Sequence, residues 1–586
     1  MPSADPAPAP KGRKPGPLGP VRLSARSWRW TAILAVLASL FVALPAESQE
    51  TGNTARKVRI AFPRDDGTLT PYTFELGYPL MTLVYDTLLW RGGHERKWLA
   101  RQVRRSDAGR TVTVRLRKAK WQDGRPVTAE DVKFTFDYFR DRYHPRFTPQ
   151  IGAVESTEAL DARTVEFHLF YPSPGFDDQP LSDVPILPRH LWEGVPDGQT
   201  PAGLPVGSGP YRLTKHDVGK RYVFKANEDY FLGKPRVGTI EMPFIRDFDS
   251  TVRAFRNRDI DMIPATLPQR SQDQLRGAAF ETAFGTLYNG TVLMFNLREA
   301  PFDDPRARQA VSKALDLDRI TRATVGGDPL SFQADRGYVH PESGFAASGA
   351  LHRFDEKRAR SELAALGLPE IRVLAPDNDP VRKEAGRQVV LALTRAGQDA
   401  KLVEMPAGEL AAAVGQDGAS PSFEAAIWSA PPLASYGSDF LRVVFGSDEA
   451  QAPLNYSGYD SDEFDELAAQ AVKETDVYKR SQLVREELKL LTDDAPVVPL
   501  FYPKGAFVYR PAIYENWVYV EGTGILDKRS FLDREVSGEQ EGPAARRGTF
   551  GSSDGGIGAL GIVALGLLAV VLIVIAFGVV GRLRDA

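Results

Sequence analysis

Cysteine is absent from all 586 residues. A disulfide framework, a thiolate metal site and a cysteine nucleophile are therefore excluded, and redox usage says nothing about compartment. A surplus of positive charge is also lacking: 73 Lys and Arg stand against 76 Asp and Glu, a net charge of −3. The first 48 residues hold six basic and two acidic side chains, which leaves about −7 on the rest. A body of that sign exerts no general pull on nucleic acid, and no basic groove interleaved with aromatics occurs, so no nucleic-acid partner is expected. Histidine is sparse: seven residues, at 94, 144, 168, 190, 216, 340 and 352, with no HExxH or other compact ligand spacing. A zinc hydrolase is poorly supported, and no metal or cofactor is expected. His168, in an alternating apolar-polar run, is read as structural. Neither a GxSxG nucleophile elbow nor a GxxxxGK[ST] phosphate loop is present, and no catalytic residue is assigned. VGSGPY (Val206–Tyr211) has two glycines without dinucleotide spacing and reads as a turn into a strand. Asp65-Asp66 and Asp493-Asp494 are acid pairs of the kind common on solvated loops. Asn289-Gly290-Thr291 and Asn455-Tyr456-Ser457 match the glycosylation sequon, a pattern short enough to recur by chance.

What is present is ordinary globular composition, 42% hydrophobic and 25% charged, over a length sufficient for two or three packed units. Residues 1–48 read as a basic region and a signal peptide. Lys11, Arg13, Lys14, Arg22, Arg26 and Arg29 precede the apolar run TAILAVLASLFVAL (Thr31–Leu44), and the small residues of PAES place cleavage near Ala46 or Ser48. No Arg-Arg pair precedes the run, which favours the general secretory route and an extracytoplasmic body. Residues 534–556 hold few large apolar side chains and read as a flexible tether, averaging ~26 Å as a random coil. Ile557–Val580 then carries no charge and no side-chain amide. As a helix it would extend ~36 Å at ~1.5 Å per residue, enough to cross a membrane with some tilt. Arg582 and Arg584 beyond it agree with a cytoplasmic end.

Between these ends, strands and helices mix without strict alternation. VRIAF near Val58, TVTVRLR (Thr111–Arg117), TVEFHLF (Thr164–Phe170), YRLTKH and RYVFKA read as strands. Thr128 and Asp131 open a helix in capping-box fashion, with Val132, Phe136 and Phe139 on one face. FDDPRARQAVSKALD (Phe302–Asp316) predicts a helix capped by Asp304 with Pro305 first. Its apolar stripe is Ala307, Ala310, Val311, Ala314 and Leu315, while Arg306, Gln309, Ser312 and Lys313 are expected to face water. FDEKRARSELAALGL repeats that grammar, with Asp355 as cap and Gly367 as a left-handed stop. SDEFDELAAQAV and VYKRSQLVREELKLLTDDAP predict two more helices. Together these indicate an α/β body in several lobes.

Six segments, in order, resemble the family 5 extracellular solute-binding proteins, the oligopeptide- and dipeptide-binding receptors of ABC importers. They are PVGSGPYRLTKHDVGKRYVFKANEDYFLGKP, STVRAFRNRDIDMIPATLP, LMFNLREAPFDDPRARQAVSKALDLDRI, FDEKRARSELAALGL, NYSGYDSDEFDELAAQA and APVVPLFYPK. The resemblance covers about residues 57–535. It implies an α/β, two-lobed periplasmic-binding-protein type II-like fold with an inserted third domain, to which the apolar C-terminal stretch would add a transmembrane helix. Core lobe I is expected at 57–80, 204–290 and 512–535, the inserted domain II at 81–203 and lobe III at 291–511. Closure of the lobes over a peptide or other small solute is implied, with an ABC permease and, indirectly, its ATPase as partners. Glu75, Tyr78, Tyr288, Asn289, Trp428, Ser429, Ala430, Tyr436 and Tyr502 fall near the cleft so implied and are the ligand-binding candidates. In one respect the chain departs from the family. The family's peptide receptors place an aspartate, which receives the peptide's α-amino group, three residues after the tryptophan matching Trp428. Here that position is Pro431, which can neither carry charge nor accept through its side chain, so peptides held by backbone pairing, modified peptides, sugars and other solutes all remain open. Many members are held at the cell surface through a lipidated cysteine. With no cysteine in this sequence, Ile557–Val580 is expected to serve as the anchor. A ligand sensor acting through a membrane partner and a secreted hydrolase are the alternative functions.

Overall fold

The computed structural model describes residues 54–533 apart from 74–76, 91–95, 107, 197, 266–274, 276–279, 288, 326–331, 334–337, 341–352, 417, 431–438 and 521–523. The predicted signal peptide, tether and span Ile557–Val580 lie outside the described residues. Among the described residues no helix is long and apolar enough to cross a membrane.

β1 (Ala55–Arg59) is followed by a long excursion. In it β2 (Leu89–Trp90) and β3 (Arg96–Lys97) pair as a short ribbon. β4 (Ala100–Arg105), β5 (Thr111–Leu116), β6 (Val154–Asp161) and β7 (Thr164–Leu169) then build an antiparallel sheet in the order β4-β5-β7-β6. Strict alternation in β5 and β7 buries Val112, Val114, Val165 and Phe167, and the helix Ala129–Asp141 lays Val132, Phe136 and Phe139 in the same core. The chain then returns to β1. β8 (Tyr211–Asp217), β9 (Arg221–Ala226) and β10 (Val237–Pro243) complete a sheet of order β1-β10-β9-β8, with β1 parallel to β10. One continuous apolar core joins this sheet to the excursion.

β11 (Met262–Ile263) and β12 (Glu281–Thr286) belong to a small third sheet. β13 (Gly290–Phe295), β14 (Phe332–Gln333), β15 (Ile371–Pro376), β16 (Ala400–Met405), β17 (Ala425–Ala430) and β18 (Val497–Tyr502) form a six-stranded sheet, ordered β14-β18-β13-β17-β15-β16. β19 (Lys504–Tyr509), inside the range expected for lobe III, instead pairs with β12 and β11. The six-stranded sheet is covered on both faces. Leu293, Phe295, Ile427 and Leu500 pack under the helices Pro305–Ala314, Glu356–Leu366 and Pro380–Arg395. Val292, Met294 and Ala426 meet the helices Ala407–Val414, Asp462–Ala471 and Val477–Asp494 on the other side.

The caps explain several boundaries. The Asp304 carboxylate accepts from the Arg306 N–H at 2.8 Å, and that of Asp355 from Arg358 N–H at 2.9 Å. Gly367 closes the second helix at φ +60°. The predicted stripe from Ala307 to Leu315 is buried, but Ser312, expected to face water, is buried too. Arg308, one turn earlier in the same helix, is buried as well, its guanidinium turned inward to the carbonyls of Phe302 and Asp494, both at 2.7 Å. Asp66, expected on a solvated loop, is also buried and accepts from the Gly77 N–H at 2.5 Å. VGSGPY needs its glycines for close approach: Cβ atoms on Gly207 and Gly209 would lie 1.9 and 2.4 Å from the carbonyl oxygens of Val84 and Leu83.

A buried ion pair closes the first body. Lys528 Nζ lies 2.8 Å from Asp86 Oδ1, both side chains fully buried, and the ammonium stands 3.8 Å from the Trp90 ring centroid. Trp98 Nε1 at 2.8 Å, Tyr230 Oη at 3.0 Å and Ser208 Oγ at 3.0 Å donate to the same carboxylate. Burial lowers the Lys528 pKa, and the Asp86 charge opposes that.

Candidate ligand-binding site

The six-stranded sheet and the small third sheet are linked by two short crossings. Residues 287–289 lead from β12 to β13, and Pro503 alone separates β18 from β19. Both crossings adjoin one pocket, which holds about 550 Å³ of space free of protein atoms, part of it open to solvent. Its floor is Val292 and Met294 of β13, Trp428 of β17, and Pro499 and Tyr502 of β18. Trp428 reaches the floor because it pairs with Val292, on the face that also carries Met294 and Ala426.

Tyr502 reaches it for a different reason. Pairing slips between Thr291↔Phe501 and Val292↔Pro499, a β-bulge at Leu500-Phe501. Both bulged residues enter the core of the opposite face. The extra residue returns Tyr502 to the side of Pro499, whereas unbroken alternation would turn it away from the pocket.

One wall is the turn NYSGY. Asn455 Nδ2 donates to the carbonyls of Gly446 (2.8 Å) and Tyr459 (2.7 Å). Its Oδ1 accepts from Ser457 Oγ (3.0 Å), Gly458 N–H (3.0 Å) and Tyr459 N–H (3.1 Å). The sequon asparagine is thus committed inside its own turn. The Leu297 N–H donates to the Ser457 carbonyl at 2.9 Å and docks the turn beside the end of β13. Tyr456 is thereby held against Trp428, ring centroids 5.7 Å apart at 77°. Among the described residues, none that lines the pocket is charged at neutral pH. Burial pushes the Tyr456 hydroxyl up to about 12, and likewise raises that of Tyr502. His340, its ring 4.9 Å from Tyr502, is pushed down to about 4 by burial and is neutral at pH 7.

Of the expected site residues, Trp428 and Tyr502 come together here. Ser429 pairs with Thr291 and, by strand alternation, faces the opposite side with Ile427. Ala430 ends β17 opposite Gly290, and Asn289 is exposed on the first crossing. Tyr78 lies elsewhere: its hydroxyl donates to Asp183 Oδ1 at 2.5 Å, and the Arg146 guanidinium covers its ring at 4.1 Å while pairing with Asp183. Glu75, Tyr288 and Tyr436, like Pro431, fall outside the described residues. Tyr456 was not singled out by the sequence pattern, although the NYSGY turn that carries it was visible.

Comparisons with known proteins agree with this architecture. The oligopeptide-binding protein AppA of Bacillus subtilis is 24% identical over 455 residues, 72% of this chain and 80% of AppA. The peptidoglycan-binding protein YepA of Agrobacterium fabrum is 27% identical over 364 residues, 56% of this chain and 55% of YepA. The chain thus spans about half the length of YepA. Among solved structures, B. subtilis AppA in complex with a nonapeptide superposes with a TM-score of 0.73 at 20% identity, covering 82% of this chain and all of that one. CtaP of Listeria monocytogenes gives 0.69 at 21% identity, covering 82% and 99%. These neighbours share a two-lobed α/β periplasmic-binding-protein fold. Residues 96–452, more than half of the chain, match the model for the bacterial extracellular solute-binding proteins, family 5 (middle region), and the chain belongs to that family.

Proposed function

We propose that the chain is the extracytoplasmic substrate-binding protein of an ABC importer, taking a peptide or related small solute by closure of two hinged lobes. A permease and, through it, an ATPase would be its partners. The observation that carries this reading is the convergence of Trp428, Tyr456 and Tyr502 on one pocket beside both chain crossings. Two short crossings allow rotation at few backbone positions, and a pocket next to them changes shape as the lobes turn. Lys473, in the range assigned to lobe III, stands 5.5 Å from the ring centroid of Tyr171, in the range assigned to the insertion, and so offers a contact between them. Similar proteins have been solved with a nonapeptide, with Ni(L-His) and with agropinic acid, which supports a small-solute ligand without choosing among the classes. The uncharged stretch Ile557–Val580 would hold the receptor at the membrane.

Full-length protein in nanodiscs tests the reading by thermal shift and native mass spectrometry. Peptides or another exported solute should raise the melting temperature and be recovered unaltered. No co-purifying solute and no stabilisation by peptides or opines would overturn it. Release of the intact protein by carbonate washing of membranes would overturn the anchor.

A further inference from the structure

Resting on the receptor reading and deepening it, we infer that the Trp428–Tyr456–Tyr502 pocket takes an apolar, preferably aromatic, side chain of a bound peptide and discriminates against charged ones. Among the described residues the lining offers an ionised ligand group no counter-charge. Charged groups around the turn and helix that line it are engaged: the Arg298 guanidinium donates to the Tyr456 carbonyl at 3.0 Å, Asp494 accepts from the Tyr459 hydroxyl at 2.7 Å, and Arg308 donates to backbone carbonyls. A carboxylate or ammonium entering the pocket would lose its water without gaining a counter-ion. An apolar side chain gains in the same place by leaving water. The aromatic preference follows from the Trp428–Tyr456 geometry: two rings at 77° present a face and an edge, and a guest ring can pair with either in an offset-stacked or edge-to-face arrangement. Val444, part-buried at the pocket, is the position from which a charge could reach the guest.

The full chain in nanodiscs is titrated calorimetrically with Ala-Ala-Phe-Ala-Ala, Ala-Ala-Asp-Ala-Ala and Ala-Ala-Lys-Ala-Ala. The phenylalanine peptide should bind at least tenfold more tightly than either charged one. Trp428→Ala should cut that preference to threefold or less, and Val444→Lys should raise the affinity of the aspartate peptide relative to the lysine peptide. Circular dichroism verifies that each variant is folded, and the wild-type ranking decides the matter if Val444→Lys does not fold. Equal affinity for all three peptides would overturn the pocket's selectivity and leave the receptor reading standing. Absence of binding by all three overturns the inference, and, with no solute seen by native mass spectrometry, the receptor reading as well.

Discussion

Asn455 shows how much one side chain can organise. It donates to two carbonyls and accepts from three donors within the turn that holds Tyr456. Asn455→Ala should cost about 2–3 kcal/mol, because several part-buried donors and acceptors lose their partner together. Urea unfolding measures that cost, and ligand affinity should fall with it. His144 sets a pH dependence. Its Nε2 lies 2.8 Å from the Pro71 carbonyl, while Nδ1 accepts from the N–H groups of Arg146 (3.0 Å) and Phe147 (3.3 Å), an arrangement that needs the neutral ring. Burial, with the Arg146 charge adding to it, pushes this histidine down to about 4. The unfolded chain takes up the proton below its ordinary value of ~6.5, and the folded chain does not. Stability should therefore fall by ~1.4 kcal/mol per pH unit on this account as pH drops from about 6.5 to about 4. His144→Gln should flatten urea-derived stability across that interval by one proton's worth of slope. Trp428 and Tyr502, which line one pocket, were named through resemblance. Asn455 and His144 were not, because their importance lies in partners brought together by the fold.

At the scale of elements, the caps were legible where one residue decides a boundary. Asp304, Asp355 and Gly367 do what their positions predict. Arg308 was not, since an arginine in a helix reads as exposed until the carbonyls it meets are known. The bulge in β18 is the clearest case of hidden information. VVPLFY reads as a continuous apolar strand, and nothing in those letters marks where pairing slips. Deleting Leu500 should remove the bulge yet leave Tyr502 on the pocket side, because Phe501 alone would then stand between it and Pro499. Ligand-induced stabilisation in thermal shift should survive that deletion and be lost in Tyr502→Ala, which leaves the strand unaltered. Retention of full affinity in Tyr502→Ala would show that Tyr502 has no part in binding.

Over the whole molecule, the order of strands along the chain differs from their order in space. β1 closes on β10, and β12 on β19, across hundreds of residues. Such pairings leave no local pattern. The two-lobed layout was therefore expected only through resemblance, and β19, in the range expected for lobe III, pairs with β11 and β12. Among the described residues, the ion pair most distant in sequence is Lys528 with Asp86. Lys528→Met should destabilise by about 3–5 kcal/mol, because it strands a buried carboxylate. Denaturant unfolding would show this, and the added substitution Asp86→Leu should recover part of the loss.

That tie also bears on how the protein is made. A nascent chain cannot give Asp86 its counter-cation until the ribosome has passed residue 528, more than four hundred residues later. Throughout that interval the carboxylate has only its neutral donors Trp98, Ser208 and Tyr230, and β12, once made, waits for β19. A polypeptide so arranged completes this part of its packing only when the segment around residue 528 arrives.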